Sequence, residues 1–168
     1  MTAAASAHCS QKKRGRLTVF ASYASGAGKS FAMLHAAEEA ARAGKDVVVG
    51  LLERGRWPQT DVLAAAFEML PCKSVVRQEK KVLELDLEVC LQRQPQLMLI
   101  DDLSHQNADV SRNRKRYQDI EELLKAGVDV YTTLDVQHIE SIQDTFFPFC
   151  RRRPMSVFQI EYLTRRHR

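Results

Sequence analysis

Residues 25–30, Ser-Gly-Ala-Gly-Lys-Ser, bring two glycines, an ammonium group and a hydroxyl into one short stretch. That combination suits a phosphate. Small residues let consecutive amides turn inward around an anion, Lys29 adds a mobile charge for the β- and γ-phosphates, and the Ser30 hydroxyl can ligate magnesium. Ser25, Gly26, Ala27 and Gly28 are the candidates for the amide cradle, with Lys29 and Ser30 completing it. The usual pattern G-x-x-x-x-G-K-[ST] opens on glycine, and here that position is Tyr23. Its side chain restricts positive φ and crowds close approach, but it leaves the amides of 26–30 in place. The expectation is a loop that still binds, more weakly. Tyr23 stacking beside a nucleotide is a second role for it, and a tight turn with a surface lysine is the bland alternative to a site.

A second constellation closes the apolar run "LMLIDD". Two adjacent carboxylates at a strand end are costly unless solvated or near a cation, and Mg²⁺ with phosphates meets that need. Asp101, with Ser30, is the metal-shell candidate. Asp102 is the catalytic candidate, placed to orient or activate a water. Helix capping or a loop role is the alternative for the pair.

Both constellations need elements to carry them. Leu17 to Ser22 reads as a buried strand, Lys29 to Ala43 as a helix stopped by Gly44, and "DVVVGLL" (46–52) as a strand buried on both faces. Residues 60–70 read as a helix closed by Pro71, 74–77 as a weak strand, and 83–94 as a second short helix. Then come a strand over 96–102, a helix over 117–127, a strand over 128–133 and a helix over 137–147. Such alternation predicts an α/β fold, a mostly parallel sheet covered by helices. Right-handed crossovers then bring the glycine loop, Asp101, Asp102, Thr132 and Thr133 to one sheet edge.

The charge is unevenly placed. Residues 1–16 and 151–168 together hold ten bases and one acid, while the middle holds 15 bases and 20 acids. The division expected is a basic N-terminal tail (1–16), a nucleotide-binding domain (17–146) and a basic C-terminal tail (147–168). The tails can touch nucleic acid or anionic lipid, or serve as solvated ends. An acidic middle without an aromatic-basic face makes nucleic acid an unlikely partner. No apolar run approaches the ~20 residues of a membrane span. "MTAAASAHCSQKKRGR" has small residues before its charges, the wrong order for a secretory signal, so the expected location is cytoplasmic. Cys9, Cys72, Cys90 and Cys150 lie far apart and read as reduced thiols.

From about Gly15 to Asp144 the chain resembles the N-terminal cytoplasmic domain of KdpD-type osmosensitive potassium sensor histidine kinases. The segments carrying this are "DVVVGLLE", "QLMLIDDLSHQN", "RKRYQDIEELLKAGVDVYTT" and "VQHIESIQD". The resemblance implies a P-loop NTPase-like three-layer domain that binds ATP and Mg²⁺. It also implies an input role in a potassium and osmotic two-component system, at the cytoplasmic face of the inner membrane, with a sensor kinase or another protein of that response as partner. Gly26, Gly28, Lys29 and Ser30 fall on the family's phosphate loop and Asp101 on its acidic strand end. His105, Asn107, Ser111, Arg112, Lys115, Arg116, Gln137 and His138 fall on polar positions with no role assigned. The departures are Tyr23 for a small residue, Asp102 for glutamate, Asp135 for asparagine, and "RGRWPQ" for a Thr-His-Gly-Arg stretch. Past Asp144 the pattern is lost, and the chain holds neither a phosphoacceptor-histidine helix nor a kinase ATP lid. Two functions remain: an ATP-binding input module, or a small P-loop NTPase or phosphotransferase with its own hydrolysis.

Overall fold

Leu97, Met98, Leu99 and Ile100 are all fully buried, which requires cover on both faces of the strand they form. The computed structural model, which describes residues 13–23, 25–138 and 157–162, shows that cover. In chain order the elements are β1 (Leu17–Ser22), α1 (Lys29–Arg42), β2 (Val47–Leu51), α2 (Pro58–Ala64) and β3 (Glu68–Met69). They continue with β4 (Lys73–Arg77), β5 (Lys80–Glu84), α3 (Leu87–Arg93), β6 (Leu97–Ile100), α4 (Arg116–Lys125) and β7 (Asp129–Asp135). A 3-10 turn (Val136–His138) follows, and β8 (Phe158–Tyr162) ends the described chain.

The main sheet has six strands in the order β3-β2-β6-β7-β1-β8. Every pairing is parallel except β8 on β1, which is antiparallel. The period of two along β6 divides the core. Leu97 and Leu99 pack with Met33, Leu34, Ala37 and Ala64 of α1 and α2. Met98 and Ile100 pack with Leu87, Cys90, Ile120, Leu123 and Leu124 of α3 and α4. The result is the three-layer α/β arrangement that the alternating pattern predicts. Burying each such side chain stabilises the fold by ~1.5–3 kcal/mol before chain entropy is counted. Close packing around Cys90 pushes its thiol up to about 12, so it behaves as a small hydrophobe.

Three expected elements differ. The helix expected over 60–70 ends at Ala64, and Glu68–Met69 instead pairs alongside Val48 and Val49. The helix expected over 83–94 begins only at Leu87, because residues 80–84 form β5, which pairs with β4 as a hairpin. Asp86 caps α3 through its Oδ1, which accepts from Val89 N at 3.4 Å. The strand expected over 128–133 extends to Asp135. Most of the helix expected over 137–147 lies outside the described residues. At the other end, Arg14 pairs with Glu121 at 2.5 Å, Gly15 N donates to Leu124 O at 2.8 Å, and Arg16 N donates to Asp129 Oδ1 at 2.8 Å. These contacts dock the residues before β1 onto α4 and β7.

Candidate functional site

At the C-terminal ends of β1, β2, β6 and β7 lies a cavity of about 1050 Å³. Ser25, Gly26, Gly28, Lys29, Ser30, Asp101 and Asp102 all line it, so most of the residues singled out in the sequence converge there. Ala27 does not line it and Tyr23, partly buried, is not among its described lining residues.

The loop geometry follows from its glycines. Gly26 and Gly28 hold φ of 79° and 86°, the left-handed region that an L side chain adopts only at a cost. Gly28 is the N-cap of α1, and its carbonyl accepts the helix's first bond, from Ala32 N at 2.9 Å. Lys29 and Ser30 therefore stand on the first helical turn, where the dipole favours an anion.

Each then finds a partner across the sheet edge. Lys29 Nζ is 2.5 Å from Asp135 Oδ1 and 3.1 Å from Ser22 Oγ. Both members of the ion pair are largely buried, at 11% and 16% side-chain exposure. Ser30 Oγ donates to Asp101 Oδ2 at 3.3 Å, and Thr133 Oγ1 donates to Asp101 Oδ1. Burial raises the Asp101 carboxyl above the ordinary carboxylate range, and the charges of Asp102 and Glu53 push the same way. The hydrogen bonds from Thr133 and Ser30 work against that rise. Asp102 is engaged differently: it accepts from Ser104 N and Oγ, each at 3.0 Å to Oδ1, and so holds a turn in its own loop.

Behind this edge sits a polar network that the sequence reading left without roles. Arg116, 1% exposed, donates to Glu84 Oε2 at 2.8 Å, Asn107 Oδ1 at 3.2 Å and the carbonyl of Asp101 at 2.9 Å. Glu84, 2% exposed, also meets His105 Nε2 at 2.9 Å and Ala108 N at 3.2 Å. Asn107 and Asn113 donate to Asp119, whose carboxyl is raised chiefly by burial. Arg112 pairs with Glu122 at 3.0 Å. Asn107, Arg112 and Arg116 thus fix the 102–115 segment on α4, and His105 ties it to Glu84 of β5. The His138 side chain lies outside the described residues.

Sequence reasoning missed Glu84, Trp57 and Arg54 as cavity or network residues, and it missed the pairing of Asp135 with Lys29. The strand that carries Glu84, though not its burial, had one readable signal, the two-residue alternation of "VLELDL", which a strand explains better than a helix. Arg54 is paired with Asp61 at 3.6 Å, and Gly55 N donates to Asp61 Oδ2 at 3.0 Å, so the loop after β2 is tied to α2. Among the described residues no group of three His, Cys, Asp or Glu is placed to hold a metal by itself. Nor is any helix among them long and apolar enough to cross a membrane.

A family model described as the osmosensitive K+ channel His kinase sensor domain, KdpD, matches residues 13–153. The chain is 46% identical over 133 residues to the sensor protein KdpD of Clostridium acetobutylicum, a match covering 79% of this chain and 15% of that protein. It is 44% identical over 131 residues to the sensor protein KdpD of Escherichia coli, covering 78% and 15%. With the sensor protein KdpD of Mycobacterium tuberculosis it shares 39% identity over 132 residues, again 79% and 15%. The chain spans about 15% of the length of these relatives.

Proposed function

The chain belongs to the KdpD family of osmosensitive K+ channel His kinase sensor domains, and from that premise we propose that it is a nucleotide-binding input module of a potassium-responsive sensor kinase. One observation carries the reading: Lys29 and Ser30, on the first turn of α1, face Asp101 and Asp135 across one cavity. The triphosphate of ATP would lie on the Gly26–Ser30 turn, with Lys29 turning from Asp135 to the phosphates.

Magnesium fits the same residues. Asp101 is a buried carboxylate with its ionised form disfavoured, and the Ser30 hydroxyl stands beside it. Mg²⁺ is commonly held by one or two carboxylates plus nucleotide phosphates rather than by an all-protein cage. Ser30 and Asp101 would hold it, and the cation would offset the cost of ionising the Asp101 carboxyl in this buried position.

Binding would be felt beyond the cavity. Arg116 donates to the Asp101 carbonyl and anchors the segment that follows it, so a ligand ordering Asp101 acts on that segment directly. Presenting this surface to kinase or partner is the output we assign. Asp102 engaged by Ser104 favours a binding role over turnover.

Titration of the chain with ATP and Mg²⁺, wild type against Lys29→Ala, tests the reading. Loss of affinity in Lys29→Ala supports it, and equal affinities overturn it.

A further inference from the structure

The cavity is larger than a phosphate chain requires, and its lining is of two kinds. Lys29, Ser30, Asp101 and Asp135 supply polar groups. Trp57, Met69 and Leu83 also line it, with 54%, 37% and 59% of their surface exposed. Large apolar side chains left open in a cavity that also carries charges are the usual makeup of a site for an amphipathic small molecule.

Trp57 is held in place by its neighbours. Pro58 follows it as the first residue of α2, which excludes helical geometry for Trp57, and its φ and ψ of −135° and 108° are extended. The loop before it is tied to Asp61 through Gly55 N and Arg54. The indole Cζ2 is 3.9 Å from where a Cβ on Gly26 would stand, so the ring begins at the glycine loop itself. The Arg56 guanidinium lies 5.9 Å from the ring centroid. An exposed, pre-positioned aromatic surface that starts where a phosphate chain would run is a stacking platform.

Resting on the nucleotide reading above, we propose that Trp57 is the nucleobase platform of this site: the base stacks on the exposed indole, with Met69 and Leu83 as the apolar surround.

The test compares Mg-ATP with Mg-tripolyphosphate, which carries the phosphates without a base, by calorimetric titration of wild type, Trp57→Ala and Trp57→Phe. Stacking of one base is commonly worth about tenfold or more in affinity, so wild type is expected to prefer ATP by about that factor. Trp57→Ala should erase the preference while leaving tripolyphosphate affinity unchanged, and Trp57→Phe should keep most of it. Trp57 is the sole tryptophan, so its emission, excited beyond adenine absorption, should respond to ATP and not to tripolyphosphate. Equal affinities for the two ligands in wild type, or a Trp57→Ala loss shared by both, overturn the platform while leaving the phosphate site standing. Binding of neither ligand overturns the nucleotide reading and the platform with it.

Discussion

Lys29 Nζ, from the N-terminal residue of α1, and Asp135 Oδ1, from the C-terminal residue of β7, are 2.5 Å apart and largely closed off from solvent. The cation that would meet a phosphate is thus already satisfied by a carboxylate. Asp135 stands where the family resemblance expects asparagine, which would leave the same shape without the charge. The pair makes Asp135 an internal competitor for any anion at the loop.

Asp135→Asn should therefore strengthen Mg-ATP binding, by about tenfold if ~1.4 kcal/mol of competition is relieved. Calorimetric titration of both proteins checks this. Unchanged or weaker binding in the variant removes the competition.

Asp101 sets a pH dependence whose sign follows from its raised carboxyl. The folded state holds this proton more tightly than the unfolded chain, so between the two pKa values unfolding releases it. Stability contributed by this group falls as pH rises through that window and recovers as pH drops. Asp101→Asn should then raise the melting temperature of the ligand-free protein at pH above that window, by ~2–4 °C for each kcal/mol relieved. The advantage should shrink as pH is lowered, and Mg²⁺-dependent stabilisation by ATP should be lost. Thermal melts across pH give both readings.

Arg116 and Glu84 form a buried pair, 2.8 Å apart. Arg116→Ala leaves Glu84 charged and unpartnered by its guanidinium, at an expected cost of ~3–5 kcal/mol in urea unfolding. Replacing both with apolar residues, Arg116→Met and Glu84→Leu, should recover much of that loss. A single-variant cost below ~1 kcal/mol would mean that water reaches the pair.

Two glycines test different physics. A Cβ on Gly28 would meet nothing within 4 Å, so Gly28→Ala is opposed only by the positive φ, about 1–2 kcal/mol. A Cβ on Gly15 would lie 1.9 Å from Val128 O, a backbone atom that cannot swing away. Gly15→Ala should therefore destabilise more than Gly28→Ala in urea unfolding.

Much of this was legible in the chain itself, for reasons that vary by element. β6 was plain because a short apolar run between Pro95 and two carboxylates reads as a strand covered on both faces. α1 was plain because Gly44 stops it and the apolar residues Phe31, Leu34, Ala37 and Ala41 recur at helical spacing. The convergence of Lys29, Ser30 and Asp101 followed from parallel topology alone. Residues 80–87 misled because the alternation is inverted: Leu83 is exposed into the cavity while Glu84 is buried. Polar burial of that kind depends on Arg116 and His105, which are distant in sequence, and no local pattern announces it. The Lys29–Asp135 pairing was hidden likewise, since it spans 106 positions and depends on two parallel strands meeting.

β8 carries a consequence of a different order. Its backbone runs beside Leu17–Ala21, from Tyr162 to Phe158, and it lies beyond the 153rd residue where the family match stops. The strand that leads into the glycine turn is therefore shielded on its outer flank by chain that the family pattern does not describe. A version cut back to residue 153 would leave that flank with unpaired amides and carbonyls, an invitation to pair with a second molecule. Cut back to the stretch that the family model matches, this protein would be expected to self-associate through the strand that delivers Gly26 and Lys29.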